Sequence, residues 1–499
     1  MPPRSRPNTS PARRQRTRAA SPSPPKGSPS PSKKASAVKT TQTEAPKKDG
    51  LKMWYAEKGK LRIVIDNYLL PMLLMIASPL WCLATAYITS LKEPSFSSFY
   101  TECVSTGVTT CGGLIFAATW PTAASVTLLA VFNFMALLIY WWPGKTEYGP
   151  LTEHGEKPEY MVNGVAHCIL FTASMLAGSE YGLGWFKLSV LADNAPATIG
   201  TLNIFGLLFC ALLYFKGLYF PSGPDSGTAG HGPVFDYYWG TELYPRFGGV
   251  DVKKFVNCRF SMTYWMVFGI SCLAKTYNEK KTIDPGLFFC ALSQFLYLNK
   301  FYMWEIGYMR SIDIIVDHAG FYETWGCLVW VPATYTLHTR SMLSLSSGLS
   351  WPVAFTIFSL GLLGVGLNFW ADEQRDTFRA TGGKCTIWGK KPVFIEAEYE
   401  TVDPDSGALV KRKSLLLASG WWGTARHQHY CFELMAAYSW GLLAGVHTHG
   451  LLPLFYPIFL TVLLVHRAHR DEEKCIAKYG KYFEEYMRIV PYRIVPFIY

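Results

Sequence analysis

The hydrophobic residues of this chain are gathered into blocks separated by shorter polar segments, a pattern typical of a protein that crosses a membrane several times. Several blocks are shorter than the roughly 20 residues that span a bilayer, so we expect polar flanks to extend them or breaks to interrupt them. The pattern predicts an all-α polytopic membrane protein with about ten transmembrane helices. They are expected at about Tyr68–Ile88, Ala124–Trp142, Tyr160–Gly178, Ile199–Tyr219, Phe260–Ala274, Gly286–Phe301, Gly320–Tyr335, Trp351–Trp370, Leu434–His447 and Leu451–His466.

One extended element is predicted in the polar segment that follows Trp370. Residues 393–400 alternate between apolar and polar side chains, a turn sequence occupies 403–407, and Val410 precedes a basic run at 411–413. Alternation on both sides of a turn favours a β-hairpin. We expect a small hairpin that lies as a flap over the cytosolic face of the membrane.

Charge outweighs apolar character in the stretch His466–Pro496, which directly follows the last hydrophobic block. We interpret it as a helix that leaves the membrane for water. Residues at intervals of three, four and seven share one helical face, and here that face carries an acid, a thiol, a base and phenols: Asp471, Cys475, Lys478, Tyr479, Tyr482 and Tyr486. The alternative is a juxtamembrane helix whose Lys and Arg residues only fix its orientation.

Composition supports the membrane interpretation, because 49% of the 499 residues are hydrophobic and only 17% are charged. The formal net charge of +11 comes almost entirely from residues 1–50, which carry twelve Lys and Arg and two acidic residues. This Ser- and Pro-rich tail has no apolar period and is predicted to be disordered and cytosolic. Since the rest of the chain is nearly neutral, we expect no nucleic-acid partner.

Topology follows from the same distribution of charge. The first hydrophobic run begins near Leu69, behind the polar tail, so we expect no cleavable signal peptide and a first span that acts as the targeting signal. An even number of spans places both termini on one side. The tail, the basic segment between Arg375 and Lys413 and the basic C-terminus then all face the cytosol, as the positive-inside rule prefers.

The twelve cysteines form no CxxC pair, and several lie inside apolar blocks. This spacing predicts neither a disulfide framework nor a zinc site, and we expect no bound metal.

Acidic residues are concentrated between two hydrophobic blocks, in residues 304–323. Asp313 and Asp317 are one helical turn apart, which puts both carboxyl groups on one face. A desolvated carboxyl group holds its proton to higher pH, as a proton donor to an apolar substrate must. Candidate donors are Asp313, Asp317 and Glu305, with Tyr308 as a relay. The alternative is a set of internal ion pairs with Arg310 and His318.

A second constellation is basic. Arg375 and Arg379 are four residues apart, so two guanidinium groups on one helix face could receive a phosphate. Thr424 could cap a helix whose first turn presents Arg426 and His427 to an anion. With Lys478, these groups suit a cofactor with two or three phosphates, although no GxGxxG motif supports a Rossmann domain.

Four motifs identify the chain as similar to the sterol reductases of the Δ14/Δ7/Δ24 family over about residues 55–499. Two are shared across the family, namely the segments DYYWGTELYPR (236–246) and LVHRAHRDEEKCIAKYG (464–480). Two resemble the Δ7 branch, namely WGCLVWVP (325–332) and GKCTIWGKKP (383–392). The family often has Asn at the position of His429 and Asp at that of Cys327, and plant-type Δ7 enzymes look similar to this chain at both.

The resemblance implies a ten-helix bundle in the endoplasmic reticulum membrane that reduces the C7–C8 double bond of Δ5,7-sterols with NADPH. Protonation of the double bond precedes hydride transfer, because an isolated alkene does not accept hydride directly. A sterol and the bilayer are the implied partners, and other enzymes of sterol biosynthesis are candidates. The implied cofactor region is mainly residues 371–499, with contacts from Arg375, Arg379, Leu417, Trp422, His429, Tyr430, Asp471, Cys475, Lys478, Tyr479 and Tyr486. Asp471 and Tyr486 are then rival proton donors.

Three alternatives remain open at this point. The first is a Δ14-sterol reductase. An enzyme similar to isoprenylcysteine methyltransferases would explain Arg426, His427 and Tyr430 followed by Glu433, although that family is much shorter. A scaffold similar to the lamin B receptor would pair a basic N-terminal region with this membrane domain, but residues 1–50 offer no folded reader.

Overall fold

Long helices make up most of the computed structural model, which describes residues 63–152, 157–402 and 409–499. The predicted tail (residues 1–50) and hairpin turn (403–407) lie outside the described residues. Helices of eight or more residues are α1 (Ile65–Ile88), α2 (Phe96–Thr106), α3 (Val108–Thr119), α4 (Ala123–Tyr140), α5 (Gly164–Gly178), α6 (Ala195–Tyr219), α7 (Met262–Lys280), α8 (Pro285–Met303), α9 (Phe321–Tyr335), α10 (Trp351–Ala380), α11 (Gln428–Leu443), α12 (Phe455–Tyr479) and α13 (Lys481–Ile489).

Shorter elements connect these helices. One-turn or two-turn helical segments occupy Val190–Asp193, Pro233–Trp239, Val252–Lys254, Glu305–Tyr308, Ile312–Ile315, Leu337–Ser341, Trp421–Thr424, Val446–His449 and Leu452–Leu454, and Phe255–Ser261 is a π-helical entry into α7. The described strands form two-stranded antiparallel sheets: β1 (Lys145–Tyr148) with β2 (Glu159–Val162), β3 (Arg246–Phe247) with β4 (Val250–Asp251), and β5 (Phe394–Val402) with β6 (Leu409–Leu417). The β5–β6 pair is the hairpin that the sequence predicts.

Within the described ranges, five helical segments are long and apolar enough to span a bilayer: Ile65–Ile88, Ala123–Tyr140, Ala195–Tyr219, Trp351–Ala380 and Leu452–Tyr479. The protein is therefore a multi-pass membrane protein, but the expected count of about ten spans is not confirmed. Two further apolar helices, α3 and α5, are shorter.

Helices α7, α8 and α9 coincide with predicted spans but are not long and apolar enough to count among these five. Their surroundings explain the difference. They are buried within the bundle and carry polar side chains that bond one another. Trp265 Nε1 donates to Gln294 Oε1 at 2.7 Å, and Thr263 and Tyr302 share a hydrogen bond of 2.6 Å. A helix enclosed by other helices has little lipid-facing surface and need not be apolar all round.

One pair of cysteines forms a disulfide, although their spacing predicts no disulfide framework. Cys103 in α2 and Cys111 in α3 are joined, so the prediction was wrong for this pair. The two consecutive helices bring their Cα atoms to 5.1 Å, an approach that a separation of eight residues does not reveal. The remaining ten cysteines are free.

The polar half of α12 forms the wall on which the hairpin rests. Ile395 and Leu416 of the hairpin pack with Phe483, Tyr486 and Val490 in a small hydrophobic core of their own. Helix α12 ends before Gly480, whose φ of 51° is positive, a conformation that glycine adopts without steric cost. After this break, α13 packs Phe483 and Tyr486 into the same small core as Cys475 and Tyr479 of α12.

Candidate functional site

Arg375, in the last turns of α10, lies over an aromatic platform. Its guanidinium carbon is 4.3 Å from the centre of the Trp422 ring, and its terminal nitrogen donates to Asp372 Oδ1 at 3.1 Å. The orientation of the Trp422 ring is fixed by a hydrogen bond that its Nε1 donates to Ala371 O in α10, at 2.8 Å. Stacking and the ion pair hold the guanidinium in one orientation. Arg379 lies one turn further along α10, with an exposed side chain.

Aromatic and imidazole rings extend this platform towards α12. The ring centres of His429 and Trp422 are 4.9 Å apart, those of His429 and Tyr430 are 4.3 Å apart, and Tyr430 stacks on His427. Burial lowers the pKa of His427 to about 4, with the Asp471 carboxylate acting in the opposite direction, so His427 is neutral near pH 7. Its Nε2 is 3.9 Å from Asp471 Oδ2 on α12.

The predicted face of α12 closes the same site. Tyr486 Oη donates to Trp422 O at 3.2 Å, and Cys475 and Tyr479 pack against the small core that contains Tyr486. Burial raises the pKa of Tyr486, which favours the neutral phenol. Leu417, at the end of β6, is buried against Trp422. Lys478 is exposed at the rim, and its ammonium lies over the ring of Tyr399 in β5.

The platform has unused donors that suit a phosphorylated dinucleotide. Arg375 Nε and His429 Nδ1 are buried and have no hydrogen-bond partner among the described residues. Buried polar atoms without partners are costly, so they indicate groups that a bound molecule satisfies. Arg375, Arg379 and Lys478 supply positive charge, and the flat rings supply surfaces for stacking. The residues present therefore fit a nicotinamide dinucleotide.

The expected anion site at Arg426 is not formed. Helix α11 begins at Gln428, and Thr424 ends the preceding short helix, where its hydroxyl donates to Trp421 O at 2.7 Å. Arg426 is buried and pairs with Glu472 at 2.7 Å, while also donating to Val490 O and Pro491 O. Arg426 thus ties the C-terminal segment to α12 and does not face a ligand.

The acidic segment between α8 and α9 is joined to α12 by two ion pairs. Arg467 donates to Asp313 Oδ2 at 2.8 Å, and Arg470 donates to Asp317 Oδ1 at 2.6 Å. The prediction that Arg310 and His318 pair with these acids was therefore wrong. Arg310 is exposed, and His318 Nδ1 accepts a hydrogen bond from Trp239 Nε1 at 3.0 Å.

Asp317 is the more deeply buried of the two acids, with 0% exposure. Its Oδ2 has no hydrogen-bond partner among the described residues. Burial raises the pKa of Asp317, although Arg470 opposes the shift. Close contact between Gly240 and Gly320 leaves no space for a Cβ atom at either position and brings the loop of Asp317 against Trp239. This is a structural reason for the glycine in the segment 236–246.

Glu305 occupies a different environment from the two aspartates. It is fully buried and pairs with Arg259 at 2.6 Å, and its Oε2 accepts from the backbone N–H groups of Asn163 and Gly164 at 3.2 and 2.9 Å. These contacts tie the acidic segment to the start of α5 and to the π-helical entry into α7. The role of Glu305 as a candidate proton donor stays a prediction. Tyr308 packs near it, against Phe301, with ring centres 5.6 Å apart.

Two further buried carboxyl groups, Glu323 and Glu433, were visible in the sequence but were not chosen as candidate site residues. Glu323 in α9 accepts from Thr324 Oγ1 at 2.9 Å, and the Cys327 thiol lies 3.7 Å from its other oxygen. Glu433 in α11 accepts from Tyr297 at 2.5 Å. The available signal was an acid within an apolar block, which is expensive and needs a reason.

These features define a class: a multi-pass membrane protein in which an aromatic-lined site with several cationic side chains, formed on two long helices, adjoins buried acids. The model of the ergosterol biosynthesis ERG4/ERG24 family matches residues 53–499, and the chain belongs to this family. It is an oxidoreductase of sterol biosynthesis, and enzymes of this family use a reduced nicotinamide cofactor.

Individual relatives bear two different names. The chain is 39% identical over 387 residues to a 7-dehydrocholesterol reductase of Arabidopsis thaliana. This match covers 76% of this chain and 87% of the relative. A 7-dehydrocholesterol reductase of Danio rerio is 35% identical, with 77% and 78% covered. A Delta(14)-sterol reductase of Methylotuvimicrobium alcaliphilum is 34% identical, with 76% and 84% covered.

Proposed function

We propose that the protein reduces the C7–C8 double bond of Δ5,7-sterols with NADPH. The observation that carries this proposal is that two ion pairs, Arg467–Asp313 and Arg470–Asp317, join α12 to the acidic segment. They hold a buried acid beside the helix that would line the dinucleotide site. Among the relatives, the name 7-dehydrocholesterol reductase belongs to those at 39% and 35% identity, which supports the Δ7 position over Δ14. Family membership also argues against the methyltransferase and scaffold alternatives.

Residues 371–499 would hold the cofactor. Arg375 and Arg379, with Lys478, face its phosphates, while Trp422, His429, Tyr430 and Tyr486 offer flat or hydrogen-bonding contacts. Leu417 and Cys475 fill the apolar margins, and Asp471 orients the neutral His427. The bound cofactor supplies hydride. The 2′-phosphate is assigned to Arg379 and Lys478, whose exposed cationic groups lie at the rim.

Asp317 is the best supported of the candidate proton donors. It gives its proton to one carbon of the double bond, and the other carbon becomes electron-deficient and accepts hydride. The Asp317 carboxylate that remains is stabilised by Arg470 and regains a proton from water. Asp313, which is partly exposed and paired with Arg467, is a weaker donor, and Tyr308 remains a candidate relay. Asp471 and Tyr486 are the rival donors on the cofactor side.

The acidic segment (residues 304–323) and the β5–β6 hairpin both contact the polar half of α12, so the three lie at one end of the bundle. We assign that end, and both termini, to the cytosol, and the membrane to the endoplasmic reticulum. The support is the concentration of Lys and Arg in the segments around this end, as the positive-inside rule requires.

The test uses membranes that contain the full-length protein, incubated with NADPH and a Δ5,7-sterol. Loss of the conjugated-diene ultraviolet absorption, with a single reduced sterol as product, is the expected result. A parallel incubation uses a Δ8,14-sterol. Reduction of that sterol alone would move the protein to Δ14 chemistry, and turnover of neither would contradict the proposal.

A further inference from the structure

The face of the β5–β6 hairpin that meets α12 carries a defined set of side chains. Ile395 and Ala397 are buried on this face, and Tyr399 is the next residue on it because side chains alternate along a strand. Residues directly opposite in the antiparallel register share a face, which adds Leu416, Ser414 and Arg412. Tyr399 and Arg412 are therefore neighbours on the side of the hairpin that faces the cofactor helix.

Contacts with the end of α12 fix the position of this face. The ammonium of Lys478 lies 4.2 Å from the centre of the Tyr399 ring, and the ring of Tyr479 meets Tyr399 edge-on at 5.6 Å. Tyr479 Oη is also 3.4 Å from Ser414 Oγ. A cation over an aromatic face is attracted by the ring quadrupole, which restrains an otherwise flexible side chain.

Charge is distributed unequally between the two faces of the hairpin. The opposite face is buried against Trp422 at its base, through Leu417, but is exposed at Lys411 and Lys413, and we call this exposed part the outer face. There Lys413 forms ion pairs with Glu396 and Glu398. Among the residues that the structure describes, no carboxylate lies within ion-pair distance of Lys478 or Arg412. Lys478 lies over the ring of Tyr399, and Arg412 is the register partner of Tyr399, so both cations border the same face of the hairpin. Two cations that border one face without a carboxylate partner leave a site for an anionic group.

We infer that the hairpin is part of the cofactor site: Arg412 binds the 2′-phosphate of the dinucleotide together with Lys478, and Tyr399 positions Lys478 for that contact. This inference rests on the proposed use of NADPH and deepens it. A phosphate monoester is dianionic near neutral pH, and a fork of N–H groups together with a point charge suits its oxygens. The hairpin would then decide between NADPH and NADH without touching the reacting atoms.

The experiment measures binding of 2′,5′-ADP and 5′-AMP to the purified full-length protein by the shift each causes in its thermal unfolding midpoint and by titration. These probes differ by the 2′-phosphate alone. Arg412→Gln is expected to weaken 2′,5′-ADP about tenfold and to leave 5′-AMP within about twofold. Lys411→Gln is the matched control, since it removes the same charge from the outer face, and should leave both probes within about twofold.

Tyr399 is tested by a pair of substitutions. Tyr399→Leu removes the ring and should weaken 2′,5′-ADP about fivefold, whereas Tyr399→Phe keeps the ring and should restore wild-type binding. Circular dichroism checks that each variant is folded. Equal weakening by Lys411→Gln and Arg412→Gln, or equal loss of both probes, would overturn the inference.

Failure of this inference can be told apart from failure of the proposed function. If wild-type protein binds 2′,5′-ADP much more tightly than 5′-AMP but all hairpin variants behave like wild type, only the role of the hairpin is wrong. If wild-type protein does not discriminate between the probes, the proposed use of NADPH is wrong.

Discussion

Arg470 donates to Asp317 at 2.6 Å although 153 positions separate the two residues. The pair joins the helix of the dinucleotide site to the acidic segment, so the acid proposed to protonate the sterol is held by the same element that lines the cofactor site. Asp313 and Arg467 form a second, parallel bridge at 2.8 Å.

The first prediction separates the two aspartates. Asp317→Asn removes the buried acid and is expected to lower kcat about a hundredfold or more, the typical contribution of a general acid. Asp313→Asn should lower kcat by less than about fivefold, because the Asp313 side chain is partly exposed and accessible to water. Sterol turnover and NADPH affinity are measured for both variants. Full turnover with normal NADPH affinity in both would rule out both aspartates as the proton donor.

The second prediction concerns pH. Protonated Asp317 is the active form, so turnover should be high below its pKa and fall as pH rises through it. Burial raises this pKa, and Arg470, followed by Lys253, lowers it, while Asp313 raises it. Arg470→Gln should therefore shift the falling alkaline limb of kcat to higher pH. The exposed Arg488→Gln is the control, and an unchanged or downward-shifted limb in Arg470→Gln would contradict the assignment.

A third prediction addresses the choice of cofactor. Arg379→Ala should raise the KM for NADPH about tenfold or more while changing that for NADH by less than about threefold, because Arg379 is assigned to the 2′-phosphate. Arg375→Ala should weaken both cofactors, since Arg375 stacks on Trp422 inside the site. Equal effects of Arg379→Ala on the two cofactors would refute its role.

Glu305 provides a fourth prediction, about stability. Removing one partner of a buried ion pair leaves the other charge uncompensated, which typically costs about 3–5 kcal/mol. Glu305→Gln is thus expected to lower the thermal unfolding midpoint and the yield of folded protein. The fraction that folds should keep kcat within about threefold of wild type. A large loss of kcat in stably folded Glu305→Gln protein would instead support Glu305 as the proton donor.

Sequence reasoning predicted the elements whose signal is local. The hairpin at 393–413 follows from alternation and turn residues and is confirmed in the described ranges. The charged helix after His466 is confirmed as far as Tyr479, but it breaks at Gly480, so Tyr482 and Tyr486 lie on the separate helix α13. The number of spans was harder, because helices such as α7 and α8 are enclosed by protein and carry polar residues that weaken their hydropathy.

Partnerships across the chain lay beyond sequence reasoning. Spacing placed Asp313 and Asp317 on one face but offered only neighbours, Arg310 and His318, as partners. The partners of both aspartates lie on α12, and only tertiary packing decides that Glu305 pairs with Arg259, away from those two bridges. The assignment of the individual cofactor contacts and of the proton donor stays a prediction.

Gly480 also limits what can replace it at the break between α12 and α13. Its φ of 51° is a conformation that residues with a Cβ atom rarely adopt, although no atom lies within 4 Å of the position that a Cβ would take. An alanine at this position would therefore be opposed by the backbone conformation and not by lack of space.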